Sequence, residues 1–137
     1  MTQDKKDLLL KDLCARLPYG VKVQSYDLDD DMETIETLRE IDSDGYVSTI
    51  ECDTLKHTLK PYLFPLSSMT EEHKRELSNI CKCLISFTDL EICFPNYEDN
   101  NMGNWQKIVS WMYKNHYDTN GLIPSRLAID ATGLNIY

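Results

Sequence analysis

The segment Glu40–Glu51 is the most informative part of this chain. Two incompatible structures fit it, and the choice between them decides both the local fold and the only recognisable chemistry in the sequence. Its acids, its glycine and its last glutamate have the spacing of a calcium-binding loop. The same residues also fit two short β-strands joined by a Ser43-Asp44-Gly45 turn. We favour the turn, because Tyr46–Glu51 is rich in β-branched and aromatic residues that are typical of strands.

The calcium hypothesis rests on side-chain oxygens at fixed positions of this loop. A calcium loop needs ligands at positions 1, 3, 5, 7, 9 and 12, with glycine at position 6. Position 1 is here a glutamate instead of the usual aspartate, so the longer side chain has to fold back to reach the ion. A second candidate loop, His116–Leu127, lacks a carboxylate at its first and last positions. The candidate metal ligands are Glu40, Asp42, Asp44, Ser48 and Glu51.

Negative charge is concentrated in one part of the chain. The net charge is −9, and Asp27–Asp53 holds eleven acids and one base, Arg39, which gives −10 there and +1 elsewhere. Phosphates would be repelled by such a segment, so direct nucleic-acid binding is not expected. The segment either faces solvent, which we favour, or docks against a basic protein surface. The candidate interaction residues are Asp27, Asp29, Asp30, Asp31 and Glu33.

The sequence contains no familiar catalytic motif. It lacks a phosphate-binding glycine loop, a nucleophile elbow and a His-Glu-x-x-His pair, although an active site dispersed along the chain would leave no such signature. The five cysteines match no disulfide or zinc spacing, which predicts reduced thiols and a cytoplasmic location. Short apolar runs predict no membrane span. We therefore expect no cofactor, with calcium as the alternative.

Apolar periodicity and turn residues predict the order of the secondary structure. The spacing of Ser68 and Glu71 is that of a helix capping box. Two prolines, Pro61 and Pro65, predict that any strand between them is irregular or lies at a sheet edge. The predicted elements are helices over 4–17, 70–85 and 105–115 and adjacent antiparallel strands over 21–26, 34–41 and 46–51.

These elements predict an α+β fold in one domain, residues 1–137. We expect a small antiparallel sheet or partly open barrel from the N-terminal half, packed with about three helices. A chain of 137 residues is long enough to bury one modest core.

Three parts of the sequence are distinctive as text. They are Leu13–Lys22, Leu59–Glu72, and Asn115–Asp118 with Gly121–Ile123. On these segments the chain resembles a set of small uncharacterised proteins encoded by gut Bacteroidales, their prophages and phages. The resemblance brings no catalytic residues. It implies a phage or mobile-element protein of unknown role, so the cytoplasm that the cysteines predict would be that of a bacterial host cell.

We therefore expect a small non-enzymatic accessory or interaction protein whose partner is an unknown host or phage protein. One alternative is a calcium-binding module that uses the 40–51 loop. Another is an acidic protein that sequesters a basic or nucleic-acid-binding host protein.

Overall fold

The secondary structure follows the predicted order of helices and strands. A computed structural model of the chain describes residues 2–27, 32–41, 46–48, 53–55, 59–81, 86–87, 92–93 and 102–137. The helices within these ranges are α1 (Gln3–Arg16), α2 (Glu71–Cys81) and α3 (Met102–Lys114). The strands are β1 (Lys22–Asp27), β2 (Met32–Thr37), β3 (Glu40–Ile41), β4 (Tyr46–Ser48), β5 (Asp53–Leu55), β6 (Lys60–Leu63), β7 (Ser86–Phe87), β8 (Ile92–Cys93) and β9 (Ile129–Asp130).

Helix α1 begins and ends where its capping residues place it. The Thr2 side chain accepts a hydrogen bond from the backbone N–H of Lys5, 3.4 Å away, which satisfies one free donor of the first turn. A 3₁₀ turn over Leu17–Tyr19 contains Pro18, and Gly20 follows in the left-handed region with φ of 66°. Glycine adopts this conformation at little steric cost, so the chain turns directly into β1.

The buried face of α1 differs from the predicted one. We expected its apolar residues, including Leu10, Cys14 and Leu17, to share the core face. Cys14 is exposed, and Leu10 and Leu17 are only partly buried. The buried stripe contains two charged residues and consists of Leu9, Asp12, Leu13 and Arg16.

The main sheet has four strands in the order β2-β1-β6-β9. Strand β1 pairs antiparallel with β2, from Lys22 opposite Thr37 to Asp27 opposite Met32. Strand β9 joins β6 in parallel, with Tyr62 opposite Ile129. The α+β class is therefore confirmed, with a sheet that is open and mixed instead of purely antiparallel.

Strand β6 lies inside the sheet although it contains Pro61. It has β1 on one side and β9 on the other, so the predicted edge position is wrong, whereas the predicted irregularity is present in its pairing. The two ladders use different halves of the strand: β1 pairs with Lys60 and Pro61, and β9 pairs with Tyr62 and Leu63. Because proline has no N–H to donate, it is compatible with a short ladder of this kind.

The predicted strand over 34–41 is divided at Leu38. Its backbone N–H donates to the carbonyl of Val21, 3.0 Å away, and its side chain is buried in the core. The chain then starts a second sheet, in which β4 lies between β3 and β5. The predicted antiparallel pairing of 34–41 with 46–51 is present between Glu40–Ile41 and Tyr46–Ser48, but it belongs to this separate sheet and does not extend the main one. Residues 49–51 lie outside the described ranges.

Thr70 caps helix α2. Its Oγ1 accepts from the backbone N–H of His73 at 3.2 Å, whereas Ser68 lies in a 3₁₀ turn and its hydroxyl donates to the carbonyl of Pro65. The capping box predicted at Ser68 and Glu71 is therefore wrong. Of the predicted helix over 70–85, residues 82–85 lie outside the described ranges.

The buried apolar residues form two clusters. Helix α1 packs on the main sheet through the first cluster: Leu9, Leu13, Val21, Val23, Leu38, Leu59, Leu63, Leu122, Leu127 and Ala128. Helices α2 and α3 pack together through the second cluster: Leu66, Met69, Leu77, Ile108, Met112 and Tyr117. Each fully buried leucine contributes about 2 kcal/mol of transfer free energy, so both clusters stabilise the fold.

Candidate functional site

The structure brings two of the predicted calcium ligands together. Glu40 lies directly opposite Ser48 in the antiparallel ladder of β3 and β4. Strands thus flank the loop on both sides, as the turn interpretation predicts. Asp42, Asp44 and Glu51 lie outside the described ranges, so calcium binding at this loop stays a prediction. Among the residues that are described, no cluster of three or more His, Cys, Asp or Glu could hold a metal ion.

The predicted acidic interaction residues are described only in part. Asp27 ends β1 opposite Met32, and Glu33 is an exposed residue of β2. The carboxylate of Glu33 accepts a hydrogen bond from the side-chain amide of Gln24 at 2.9 Å. The other three candidates, Asp29, Asp30 and Asp31, are not among the described residues.

A buried ion pair lies on α1. The Nε of Arg16 is 2.6 Å from Oδ2 of Asp12, and Nη2 is 3.1 Å from Oδ1. Nη2 also donates to the carbonyl of Tyr117 at 2.7 Å, and Asn120 donates to Oδ1 of Asp12 at 2.8 Å. The guanidinium lies 4.8 Å from the ring centre of Tyr113. These contacts join α1 to the end of α3, which gives the pair a structural role.

Helix α3 ends in a turn that places a histidine in the left-handed region. Tyr117 N–H donates to Met112 C=O at 3.0 Å, and His116 N–H donates to Tyr113 C=O at 3.1 Å. This is the pattern of a Schellman motif, in which glycine usually occupies the position that His116 takes with φ of 63°. The imidazole stacks on the ring of Tyr137, with 3.6 Å between centroids.

Tyr117 joins several elements at the end of α3. Its hydroxyl is 2.7 Å from Nδ1 of His73, and burial raises its pKa to about 12, so it stays protonated. Its ring stacks with Trp111 at 5.8 Å between centroids. Its backbone forms a bridge with Phe64, where the His116 carbonyl accepts from the Phe64 N–H at 2.8 Å.

The three segments that are distinctive in the sequence, Leu13–Lys22, Leu59–Glu72 and Asn115–Asp118, meet at Tyr117. Arg16 belongs to the first segment, Phe64 to the second and Tyr117 to the third, and hydrogen bonds connect all three. Asp118, which follows, is buried, and its carboxylate accepts from the backbone N–H groups of Leu122 and Ile123 at 2.9 Å. These segments therefore contain residues that hold the fold together.

A groove of about 610 Å³ opens beside this region, between the end of α1, α2 and α3. We call it the α2–α3 groove. Five of its lining residues lie on α3 at the spacing of a single helix face. It is lined by Tyr19, Ile80, Gln106, Lys107, Ser110, Trp111 and Lys114.

Trp111 is held firmly in the wall of the groove. It stacks with Tyr117, it meets the edge of the His73 ring at 5.2 Å, and its Nε1 donates to Oε2 of Glu76 at 3.1 Å. The indole N–H therefore already has its acceptor. What remains available to a partner is apolar ring surface, because the side chain is only partly buried.

Positive charge flanks Trp111 along the groove. Lys107 and Lys114 are both exposed, and the ion pairs formed among the described residues involve neither of them. They are seven residues apart on one helix, which places them about 10 Å apart along its axis. The carboxylate of Glu76, which accepts from the Trp111 indole, is the opposing charge beside them, so two positive charges and one negative charge surround Trp111.

The sequence predicted the helix over 105–115 but not the groove beside it, and α3 has two distinct faces. Ile108 and Met112 form one face and are fully buried. The second face carries Lys107, Ser110 and Lys114 around Trp111. The signal in the sequence was an aromatic residue between two lysines at helical spacing.

Comparisons with known proteins identify no relative: no family model, no curated protein and no solved structure matches this chain. Within the described ranges, no helix is long and apolar enough to cross a membrane.

Proposed function

We propose that this chain is a small non-enzymatic interaction protein of a phage or mobile element, acting in the cytoplasm of a bacterial host. It holds a partner protein in the α2–α3 groove. The observation that carries the proposal is the position of Trp111, which is fixed by its neighbours and still contributes to an open groove. Rigid aromatic anchors in such places supply much of the energy of protein–protein interfaces.

The use of the buried charged groups supports binding over catalysis. Asp12, Arg16 and Asp118 are the buried charged residues among those described, and each carboxylate or guanidinium bonds to backbone or to its neighbour. A catalytic acid or base has to face a substrate. These three groups hold chain segments together instead, and the groove contributes two lysines and a serine at its rim.

The mobile-element context comes from the family resemblance. An interaction role is compatible with that context, and the α2–α3 groove with its rigid aromatic anchor supports it. The groove also explains how a small domain can bind without a metal or cofactor.

Filling the groove tests the proposal. Ser110 is exposed on its wall, so Ser110→Trp should block it without disturbing the core. Tagged wild type and variant are used to capture proteins from Bacteroidales lysate, with Lys5→Trp on the exposed face of α1 as the matched control. We expect one or more proteins to be retained by wild type and by Lys5→Trp and lost with Ser110→Trp. Equal capture by all three chains would refute a role for the groove.

A further inference from the structure

We infer that the occupant of the α2–α3 groove is an acidic amphipathic helix of a partner protein. It carries two carboxylates about two turns apart, with a large apolar side chain between them. This inference rests on the proposed function and specifies the chemistry of the partner. It follows from the order of groups along one face of α3: Lys107, then Ser110 and Trp111, then Lys114.

The centre of the groove recognises apolar surface. Trp111, Ile80 and Tyr19 meet there, and all three are partly buried. Because Glu76 already accepts the indole N–H, a partner is not required to supply an acceptor in this position. Burial of a leucine-sized side chain against such a surface gives the main share of affinity.

The two lysines set the charge and the register of the partner. Exposed ion pairs add little affinity each, but they select the partner and fix its orientation. The separation of about 10 Å between Lys107 and Lys114 equals two helical turns. A partner helix lying along α3 would match it with acids at positions i and i+7 and an apolar residue at i+3 or i+4.

Charge favours a protein over a nucleic acid as the occupant. Two lysines and two aromatic residues could also stack and neutralise a short single strand. However, two phosphate contacts give only a weak electrostatic gain, and the net charge of the whole chain is −9. The two carboxylates of the proposed partner helix require two positive charges as partners, and Lys107 and Lys114 supply them.

A peptide selection tests the chemistry directly. The probe is a displayed library of 16-residue peptides with helix-forming residues at fixed positions and random residues elsewhere, selected on wild-type chain. We expect enriched peptides with two acids seven residues apart and a large apolar residue between them. Their affinity is measured by fluorescence anisotropy at low and high salt, and a twelve-residue oligothymidine is measured in parallel.

Charge reversal supplies the matched control. The double variant Lys107→Glu/Lys114→Glu should bind enriched peptides roughly tenfold more weakly. Peptides with both acids changed to lysine should bind this variant better than they bind wild type. Lys5→Glu/Lys11→Glu, which places the same charge change on exposed residues of α1, should leave binding unchanged.

Several results would overturn the inference. Enriched peptides that lack acids would contradict it, as would tighter binding of the oligothymidine than of any peptide. Peptides whose affinity is the same for wild type and for Ser110→Trp would also contradict it. A large drop in the melting temperature of the double variant would show that the chain itself uses these lysines. If lysate capture still depends on Ser110 while acidic peptides fail, the proposed function stands and only the partner chemistry is wrong.

Discussion

Arg16 and Asp12 lie one helical turn apart on α1 and form an ion pair whose side chains are fully removed from solvent. Helix geometry brings residues i and i+4 together, so the pair forms locally. Its third contact, from Arg16 to the Tyr117 carbonyl, spans most of the chain. The pair thus connects the helix that packs on the sheet to the turn that ends α3.

The first prediction concerns this pair. Arg16→Met should lower the free energy of unfolding by about 4 kcal/mol, because it leaves the Asp12 carboxylate buried without its partner. The double variant Asp12→Leu/Arg16→Met should be more stable than the single variant, since it removes both charges. Urea unfolding at neutral pH measures both. If the double variant loses as much unfolding free energy as Arg16→Met and Asp12→Leu lose together, the two residues are not coupled.

The second prediction concerns Tyr137. Its hydroxyl donates to the carbonyl of Tyr62 at 2.7 Å and accepts from the backbone N–H of Lys22 at 2.9 Å. Tyr137→Phe removes both bonds and should cost about 2 kcal/mol in unfolding free energy. Leu134→Ala, at a neighbouring exposed side chain, should change it by less than about 0.5 kcal/mol. Equal effects of the two substitutions would argue against the docked hydroxyl.

The third prediction is a pH dependence at His116. Burial, and then the positive charge of Arg16, lower the pKa of this imidazole to about 4. In the unfolded chain the pKa is near 6.5, so the unfolded state binds the proton more readily between these values. Stability conferred by neutral His116 is therefore complete above pH 6.5 and is lost as the pH falls to 4. Because the imidazole is only partly buried, solvent screening reduces the loss to about 1 to 2 kcal/mol.

His116→Asn provides the control for that titration. Asparagine tolerates the left-handed backbone that His116 adopts, and it does not titrate. Unfolding free energies of wild type and variant at pH 7 and pH 4.5 separate this histidine from the carboxylates, which contribute equally to both chains. Parallel pH profiles would show that His116 is not the group responsible.

The sequence predicted local structure well where one side-chain pattern decided it. The helix predicted over 4–17 and the strand predicted over 21–26 correspond closely to α1 and β1. It failed where a distant contact decided the outcome. Burial of Leu38 against Val21 divides the sheets, and Thr70 replaces Ser68 as the cap because the preceding residues form a separate turn.

The candidate site was less predictable than the fold. Burial of Asp12 and Arg16 requires Tyr117 and Asn120, which are about a hundred residues away in sequence. The groove likewise depends on Tyr19 and Ile80 reaching the same face of α3. Neither arrangement follows from spacing along a single segment.

The fourth prediction concerns calcium at the 40–51 loop. If the loop is a turn between β3 and β4, millimolar calcium should leave the melting temperature almost unchanged. A site with micromolar affinity would add roughly 4 kcal/mol at a thousandfold excess of calcium. Scanning calorimetry with calcium and with magnesium measures this. A calcium-specific rise that Glu51→Gln abolishes would support the metal alternative.

Photo-crosslinking inside bacterial cells tests the central claim, that the α2–α3 groove holds a partner protein. A benzophenone amino acid replaces Ser110 in the groove or Lys5 on α1, and irradiated adducts are identified by mass spectrometry. We predict a protein adduct from position 110 that is absent from position 5 and is reduced by Lys107→Glu/Lys114→Glu. Absence of any adduct at position 110, or the same adduct from both positions, would show that the groove does not hold a partner protein.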